Sequence, residues 1–381
     1  MSISPLAILS VVIICQLLLL VLFLVASNHG KRVGNILLAS FFLVLLLNIV
    51  DGLLSYYGFY VQYPAVAHLE DGFVFLLGPI LYFYTQSVIF RDFQFRRKDA
   101  LHVLPFFVVT VGYLAFYHFQ TAEYQRMIQA SIMKQTLPRA FYISMLVIYG
   151  HVVAYIFFAF KDLRDYQDEI KKQFSSISKI NLNWLMFLLG SVVAVLLISF
   201  IYTFLPVAGL SHYFETAFTV AFVALFAFVN EIVLRAMKQP EIFAGISILD
   251  KTPTADAQVS AFNDQLSDSL VMALHQKMES DKFFLNPDLS LNALATALHI
   301  TPKKLSQLLN EKFQQNFFDY INTYRIREAQ NILEKNTDPK LTVLEVMYQC
   351  GFNSKSSFNT IFKSKTGITP SAYKRKHQLQ G

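Results

Sequence analysis

The sequence predicts an all-α protein: a seven-helix transmembrane bundle followed by a cytoplasmic all-helical domain with two helix-turn-helix units joined by a long linker helix. Three observations predict it. Seven long apolar runs lie before residue 236, each near the roughly 20 residues a helix needs to cross a bilayer. The chain is 54% hydrophobic and only 15% charged, and this balance is high for a soluble protein. Beyond residue 282 the pattern changes to short amphipathic stretches punctuated by glycine, and one such pattern occurs twice.

The apolar runs fall at 5–26, 33–57, 73–90, 101–119, 141–160, 184–207 and 214–234. A soluble core holding seven such runs would have to be very large, so spanning is the simpler reading. Nothing basic precedes the first run, which is also longer than the apolar part of a cleaved signal, so it reads as a span. The segments 27–32, 91–100, 161–183 and 235–240 carry 13 Lys and Arg, whereas the alternate loops carry only Arg126, Lys134 and Arg139. The positive-inside rule then places the N-terminus outside and residue 235 onward in the cytoplasm, as expected of a multi-pass protein of a bacterial inner membrane.

Ionisable groups inside spans are costly and mark polar contacts or ligand pockets. Asp51 in the second run and His151 in the fifth are therefore the candidate sensor residues. Glu70, Asp71 and His212 lie at span ends and read as headgroup-level residues.

The first domain is expected to occupy 1–236 and a linker 237–258, where Pro240 and Pro253 interrupt the pattern. An amphipathic connecting helix is expected over 259–281. Its stripe of Val259, Phe262, Leu266, Leu270 and Leu274 packs against the next domain, or alternatively forms a seam with a second copy of the chain, a candidate partner. Residues 282–381 carry 14 Lys and Arg against 7 Asp and Glu, a surplus that suits a phosphate-binding surface.

Within that domain, Thr342 reads as the cap of a short helix that buries Val343, Val346 and Cys350 and stops at Gly351. A second helix follows, with Asn353 as its expected cap and Phe358, Ile361 and Phe362 on its inner face. It ends at Gly367, before Thr369-Pro370 opens another. Helix, turn, helix is the DNA-reading pattern. Residues 290–320 repeat it: Leu291 matches Val343, Leu294 matches Val346, Ile300 matches Phe352, Leu305 matches Phe358 and Leu309 matches Phe362. Between the copies, Phe317, Ile321, Tyr324, Ala329 and Leu333 keep helical spacing. The rod they predict is roughly 28 Å long at 1.5 Å per residue, near the 34 Å or so of one DNA turn.

Tyr324-Arg325-Ile326, Ala329, Gly351-Phe352, Ser356, Phe358, Phe362-Lys363, Gly367-Ile368-Thr369-Pro370 and Tyr373 together resemble the DNA-binding domain of AraC/XylS-type transcription regulators over residues from about 270 to 376. The resemblance implies a double-stranded DNA partner. Where that family usually has glycine, this chain has His299 and Gln314; where it favours alanine, it has Met347; and common arginine positions hold Gln307 and Thr360. A side chain at either glycine position carries left-handed backbone strain.

The candidate DNA-binding residues are Lys303, Lys304 and Gln307 in the first recognition helix and Lys355, Ser356, Asn359 and Lys363 in the second. Gln307 and Asn359 pair a donor with an acceptor, as adenine N6 and N7 require, and Lys355 suits guanine O6 or N7. Lys304 and Lys363 suit phosphates. Cys15 falls in a span and Cys350 in a cytoplasmic helix, so they are not expected to pair; no Cys/His cluster has metal-ligand spacing, and no phosphate loop, dinucleotide fingerprint or nucleophile elbow occurs. No catalytic site, cofactor or metal is expected. The expected function is a membrane-anchored, sequence-specific regulator that couples a membrane or extracytoplasmic signal of unknown chemistry to transcription. The alternative is a membrane receptor or scaffold whose helix-turn-helix domain binds protein.

Overall fold

The computed structural model describes residues 5–27, 31–133, 138–178, 180–238, 264–335 and 340–378. Among these residues the regular structure is helical, and one isolated bridge joins Phe174 to Ser290. The chain divides into two compact units. One holds Met1–Arg164 and Leu182–Thr252, and the other Asp165–Asn181 and Pro253–Gly381.

Among the described residues, seven helical runs are long and apolar enough to cross a membrane. They include α1 (Pro5–Ala26), α2 (Arg32–Tyr56), the run Pro64–Ile89 that contains α3 (Val74–Ile89), and the run Arg97–His118 that contains α4 (Leu104–Tyr113). After α5 (Ala122–Met133) come α6 (Arg139–Gln173), α7 (Asn183–Phe204) and α8 (Phe214–Lys238). Each predicted run lies on one of the seven. Their exposed faces are apolar: Phe116 is 77% exposed and Leu19 66%.

Three details were not read from the sequence. Tight turns at Pro64–Val66 and Asp71–Phe73 precede α3, and the turn Arg97–Val103 leads into α4. The amphipathic α5 occupies a stretch read as loop. Thr121 starts it, its Oγ1 accepting from the Tyr124 N–H at 3.3 Å, and Gln125 anchors it by donating to the Tyr117 carbonyl at 3.1 Å. Helix α6 continues 13 residues past the predicted end at 160, because the polar run beyond keeps a helical stripe of buried Leu163, Tyr166 and Ile170.

The second unit contains α9 (Asp264–Glu279), α10 (Leu291–Ala297), α11 (Pro302–Phe313) and α12 (Phe317–Lys335). It ends with α13 (Val343–Gln349), α14 (Lys355–Thr366) and α15 (Pro370–Gln378). Two cores lie along the linker helix α12. Phe317, Tyr320, Ile321 and Tyr324 join Leu294, Leu305, Leu308 and Leu309 in the first. Ile326, Ala329 and Leu333 join Val346, Met347, Cys350, Phe352, Phe358 and Phe362 in the second. Leu274 and Met278 of α9 are buried in the first core, which is the packing expected of the connecting helix. Most of the expected linker, with Val259 and Phe262 of the connecting helix, lies outside the described residues.

The two helix-turn-helix turns have the same backbone. The His299 N–H donates to Thr296 O and the Ile300 N–H to Ala295 O, at 3.1 and 3.0 Å. In the second copy the Gly351 N–H donates to Tyr348 O and the Phe352 N–H to Met347 O, both at 3.1 Å. This paired arrangement closes a helix through one left-handed residue. Gly351 takes φ 80°, and His299 is forced to 54°. Gln314 also takes φ 53°, matching Gly367 at 82°. The residues that depart from the glycine pattern thus keep the glycine conformation.

Candidate nucleic-acid interface

Helices α11 and α14 are each 12 residues long, and each has a cap that fixes its start. The Thr301 Oγ1 accepts from the Lys304 N–H at 3.3 Å, and Thr342 forms a reciprocal box with Glu345 one helix before α14. The expected cap Asn353 is corrected to Ser354, whose Oγ accepts from the Ser357 N–H at 3.4 Å. Ile300 matches Phe352 and the cap Thr301 matches Ser354, so the second copy has one extra residue, Asn353, in the turn ahead of the helix. Counted from the caps, Lys303 corresponds to Ser356 and Gln307 to Thr360, whereas Leu305 with Phe358 and Leu309 with Phe362 stand as aligned.

Burial divides each helix into a back and a front. Leu305, Leu308 and Leu309 are buried on α11, and Phe358 and Phe362 on α14. Lys303, Lys355, Ser356 and Lys363 are exposed, whereas Lys304, Gln307 and Asn359 are half-buried. The Gln307 side-chain amide donates to Glu311 Oε1 at 2.7 Å, one turn along the same helix. Reading a base with Gln307 would require this bond to rearrange. Short polar side chains and lysines on a helix with an apolar back can enter a major groove.

Tyr373 of α15 steadies the second unit. Its ring meets Phe362 edge-on at 5.3 Å, and its hydroxyl accepts from Gln330 at 3.2 Å and donates to Glu334. Burial pushes the Cys350 thiol up to about 12, so it stays protonated inside the second core.

The sensor candidates have separate partners. Asp51 Oδ1 accepts from the Tyr60 hydroxyl at 2.5 Å, while His151 Nε2 pairs with the Phe75 carbonyl at 3.0 Å. The fold brings Glu70 and Asp71, read as headgroup residues, to Asp51: one carboxylate oxygen of each lies within 4.8 Å of the others. His68 Nδ1 pairs with Asp71 Oδ2 at 2.8 Å. Gln129 donates to His68 Nε2 and to the Tyr117 hydroxyl, both at 2.9 Å, which leaves Nδ1 as the protonated nitrogen. Mutual repulsion of the three carboxylates is relieved by a proton or by a hard cation, for which oxygen donors are suited. Spacing gave no sign of this group, because the chain between residues 57 and 70 folds back to form it.

A family model described as "Helix-turn-helix domain" matches residues 294–376. The regulator YijO of Escherichia coli, described as an uncharacterized HTH-type transcriptional regulator, is 34% identical over 92 residues, 24% of this chain and 31% of the relative. AdiY of Escherichia coli, an HTH-type transcriptional regulator, is 32% identical over 106 residues, 28% of this chain and 39% of the relative. Among solved structures, the C-terminal domain of AraT, a response regulator from Geobacillus stearothermophilus, shares 25% identity over 28% of this chain and 84% of that one, with a TM-score of 0.26. The chain spans between 15% and 39% of the length of the first curated relatives it matches. Residues 294–376 thus match a helix-turn-helix domain, and the relatives similar to them are described as HTH-type transcriptional regulators.

Proposed function

We propose that this chain is a membrane-anchored, sequence-specific DNA-binding transcription regulator that couples a membrane or extracytoplasmic signal to gene expression. One observation carries the reading: two capped helices of equal length, α11 and α14, present lysines and small polar groups from opposite ends of one linker helix with a continuous core on each side. The relatives named as HTH-type transcriptional regulators align over this region. Seven apolar helices supply the anchor, and the 13 to 3 charge asymmetry supports a cytoplasmic C-terminal unit in a bacterial inner membrane. The grouping of Asp165–Asn181, from a basic loop, with the C-terminal residues also favours that orientation. Asp51, with Glu70 and Asp71, is the better-placed sensing centre, and His151 is a second candidate.

The test is a mobility shift with the full chain in bilayer discs against a random duplex library. Sequence-selective binding that weakens steeply with salt is the expected result. No shift at 50 mM salt, with capture of a protein partner instead, would replace this reading by that of a receptor or scaffold.

A further inference from the structure

Asp165–Asn181 lies in sequence between α6 and α7, yet it belongs to the same compact unit as the helix-turn-helix domain. Its centre, residues 174–176, is built into that domain. Phe174 makes an antiparallel bridge with Ser290, the cap of α10. Ser175 is 1% exposed. Its N–H and Oγ donate to the Leu289 carbonyl at 3.3 and 2.6 Å. Its carbonyl accepts from Asn322 Nδ2 and Arg325 Nη1, both at 3.2 Å, and its Oγ accepts from Arg325 Nη2 at 3.1 Å. The Ser176 hydroxyl donates to Asn353 Oδ1 at 2.7 Å. Three residues thus touch the start of the first helix-turn-helix unit, the turn of the second, and the linker helix between them.

Arg325 is where these contacts meet. It lies on α12 between Tyr324 of the first core and Ile326 of the second, and it is fully buried. Its other hydrogen bonds go to the carbonyls of Phe284 and Asn286, both at 2.7 Å, and its guanidinium lies 5.5 Å from the centre of the Phe352 ring. A buried guanidinium needs its donors filled, and Ser175 supplies two of these four bonds. An incidental loop contact would be exposed and would leave the cation's bonding unchanged.

We propose that residues 174–176 are a latch. Seated, the latch fixes both helix-turn-helix units to α12 in one relative placement; withdrawn, it strips Arg325 of half its acceptors and lets the units move independently. Because the latch is continuous in sequence with α6 and α7, rearrangement of these helices can act on the DNA-reading domain without passing through residues 239–263. Ser175 is a positioning residue, acting through Arg325. The inference rests on the DNA-binding reading for its consequence but not for the latch itself.

The test uses full-length protein in bilayer discs. Ser175→Arg sets a second cation against Arg325, Ser176→Ala removes only the bond to Asn353, and Lys172→Ala serves as a surface control. Hydrogen exchange is followed in peptides covering 284–291 and 322–326. Affinity is measured for a single half-site selected by the wild type, and for paired half-sites at the selected spacing and with one base pair inserted. In Ser175→Arg, exchange should rise at least fivefold, single-half-site affinity should hold within twofold, and the spacing preference should fall from tenfold or more to below threefold. Ser176→Ala should fall between, and Lys172→Ala should match wild type. Unchanged exchange, or an undiminished spacing preference, would overturn the latch. A wild-type protein that binds no DNA would sink the functional reading instead, and the exchange comparison alone would then decide the latch.

Discussion

Gly351 and His299 occupy equivalent places in two copies of one turn, and the structure predicts opposite responses to the same kind of substitution. At Gly351, an added Cβ would lie 2.6 Å from the Leu285 carbonyl oxygen and 2.7 Å from that of Phe284. Both are backbone atoms that cannot swing aside, and the Phe284 carbonyl is already held by Arg325. The left-handed conformation adds about 1–2 kcal/mol for any residue with a Cβ, and overpacking of this kind adds about 1–3 kcal/mol. Gly351→Ala should therefore cost about 3 kcal/mol, or roughly 150-fold in the opening equilibrium. His299 already bears the left-handed cost at φ 54° with its side chain in solvent. His299→Ala should stay within about 0.5 kcal/mol of wild type. His299→Gly should stabilise by roughly 0.5–1 kcal/mol, the relief of strain less the greater entropy glycine has when unfolded.

Cys350 provides the assay. It is fully buried beside Gly351, and its thiol is held protonated, so alkylation requires the second core to open. In a Cys15→Ser background, alkylation of the full chain in bilayer discs should accelerate roughly 150-fold in Gly351→Ala and stay near wild type in His299→Ala and His299→Gly, whose turn lies against the first core. If Gly351→Ala reacted within threefold of His299→Ala, the steric reasoning would be wrong.

Three further outcomes are expected. A reporter fused after Lys238 should be active only in its cytoplasmic form, and one near Glu123 only in its external form; the reverse pattern would invert the topology. Asp51→Asn and His151→Gln should leave membrane levels normal while changing the signal response of a target promoter, with the larger effect at Asp51 because Glu70 and Asp71 converge on it; an unchanged response at normal levels would remove them as sensors. Asn359→Ala should cost roughly 1–3 kcal/mol at one base position and relax preference there, whereas Lys363→Ala should weaken all sequences about equally and lower the salt slope by about one. Intact preference in a selection with Asn359→Ala would misplace the reading face.

What was legible in the sequence follows from the range of the interactions. The seven apolar helices and the stripes of α11, α12 and α14 are set by spacing within one element, and they stand where periodicity put them. The caps depend on a few neighbours, so Thr342 could be read directly. Asn353 could not, because the choice between it and Ser354 turns on where an inserted residue is absorbed. Helix α5 is short and mixed in polarity, and Gln125 and Gln129, which anchor it, resemble ordinary loop residues until Tyr117 and His68 are brought to them.

Arg325 shows how a long-range feature could still have been inferred. The stripe of apolar residues on α12 changes partners between Tyr324 and Ile326, so a side chain between them points into the seam of two cores. An arginine there cannot reach its own helix's carbonyls, which are already engaged, and no carboxylate is among its hydrogen-bond partners. Desolvation lowers its pKa to about 10, which leaves it charged at neutral pH and in need of oxygen acceptors. Two carbonyls just before α10 supply part of that need, and the remainder must come from another stretch of chain. Serines followed by a break in helical pattern after a long charged helix, as at Ser175 and Ser176, have the hydroxyls and free backbone to provide it. The buried cation thus makes the seam between the two helix-turn-helix units depend on a segment bounded by apolar helices.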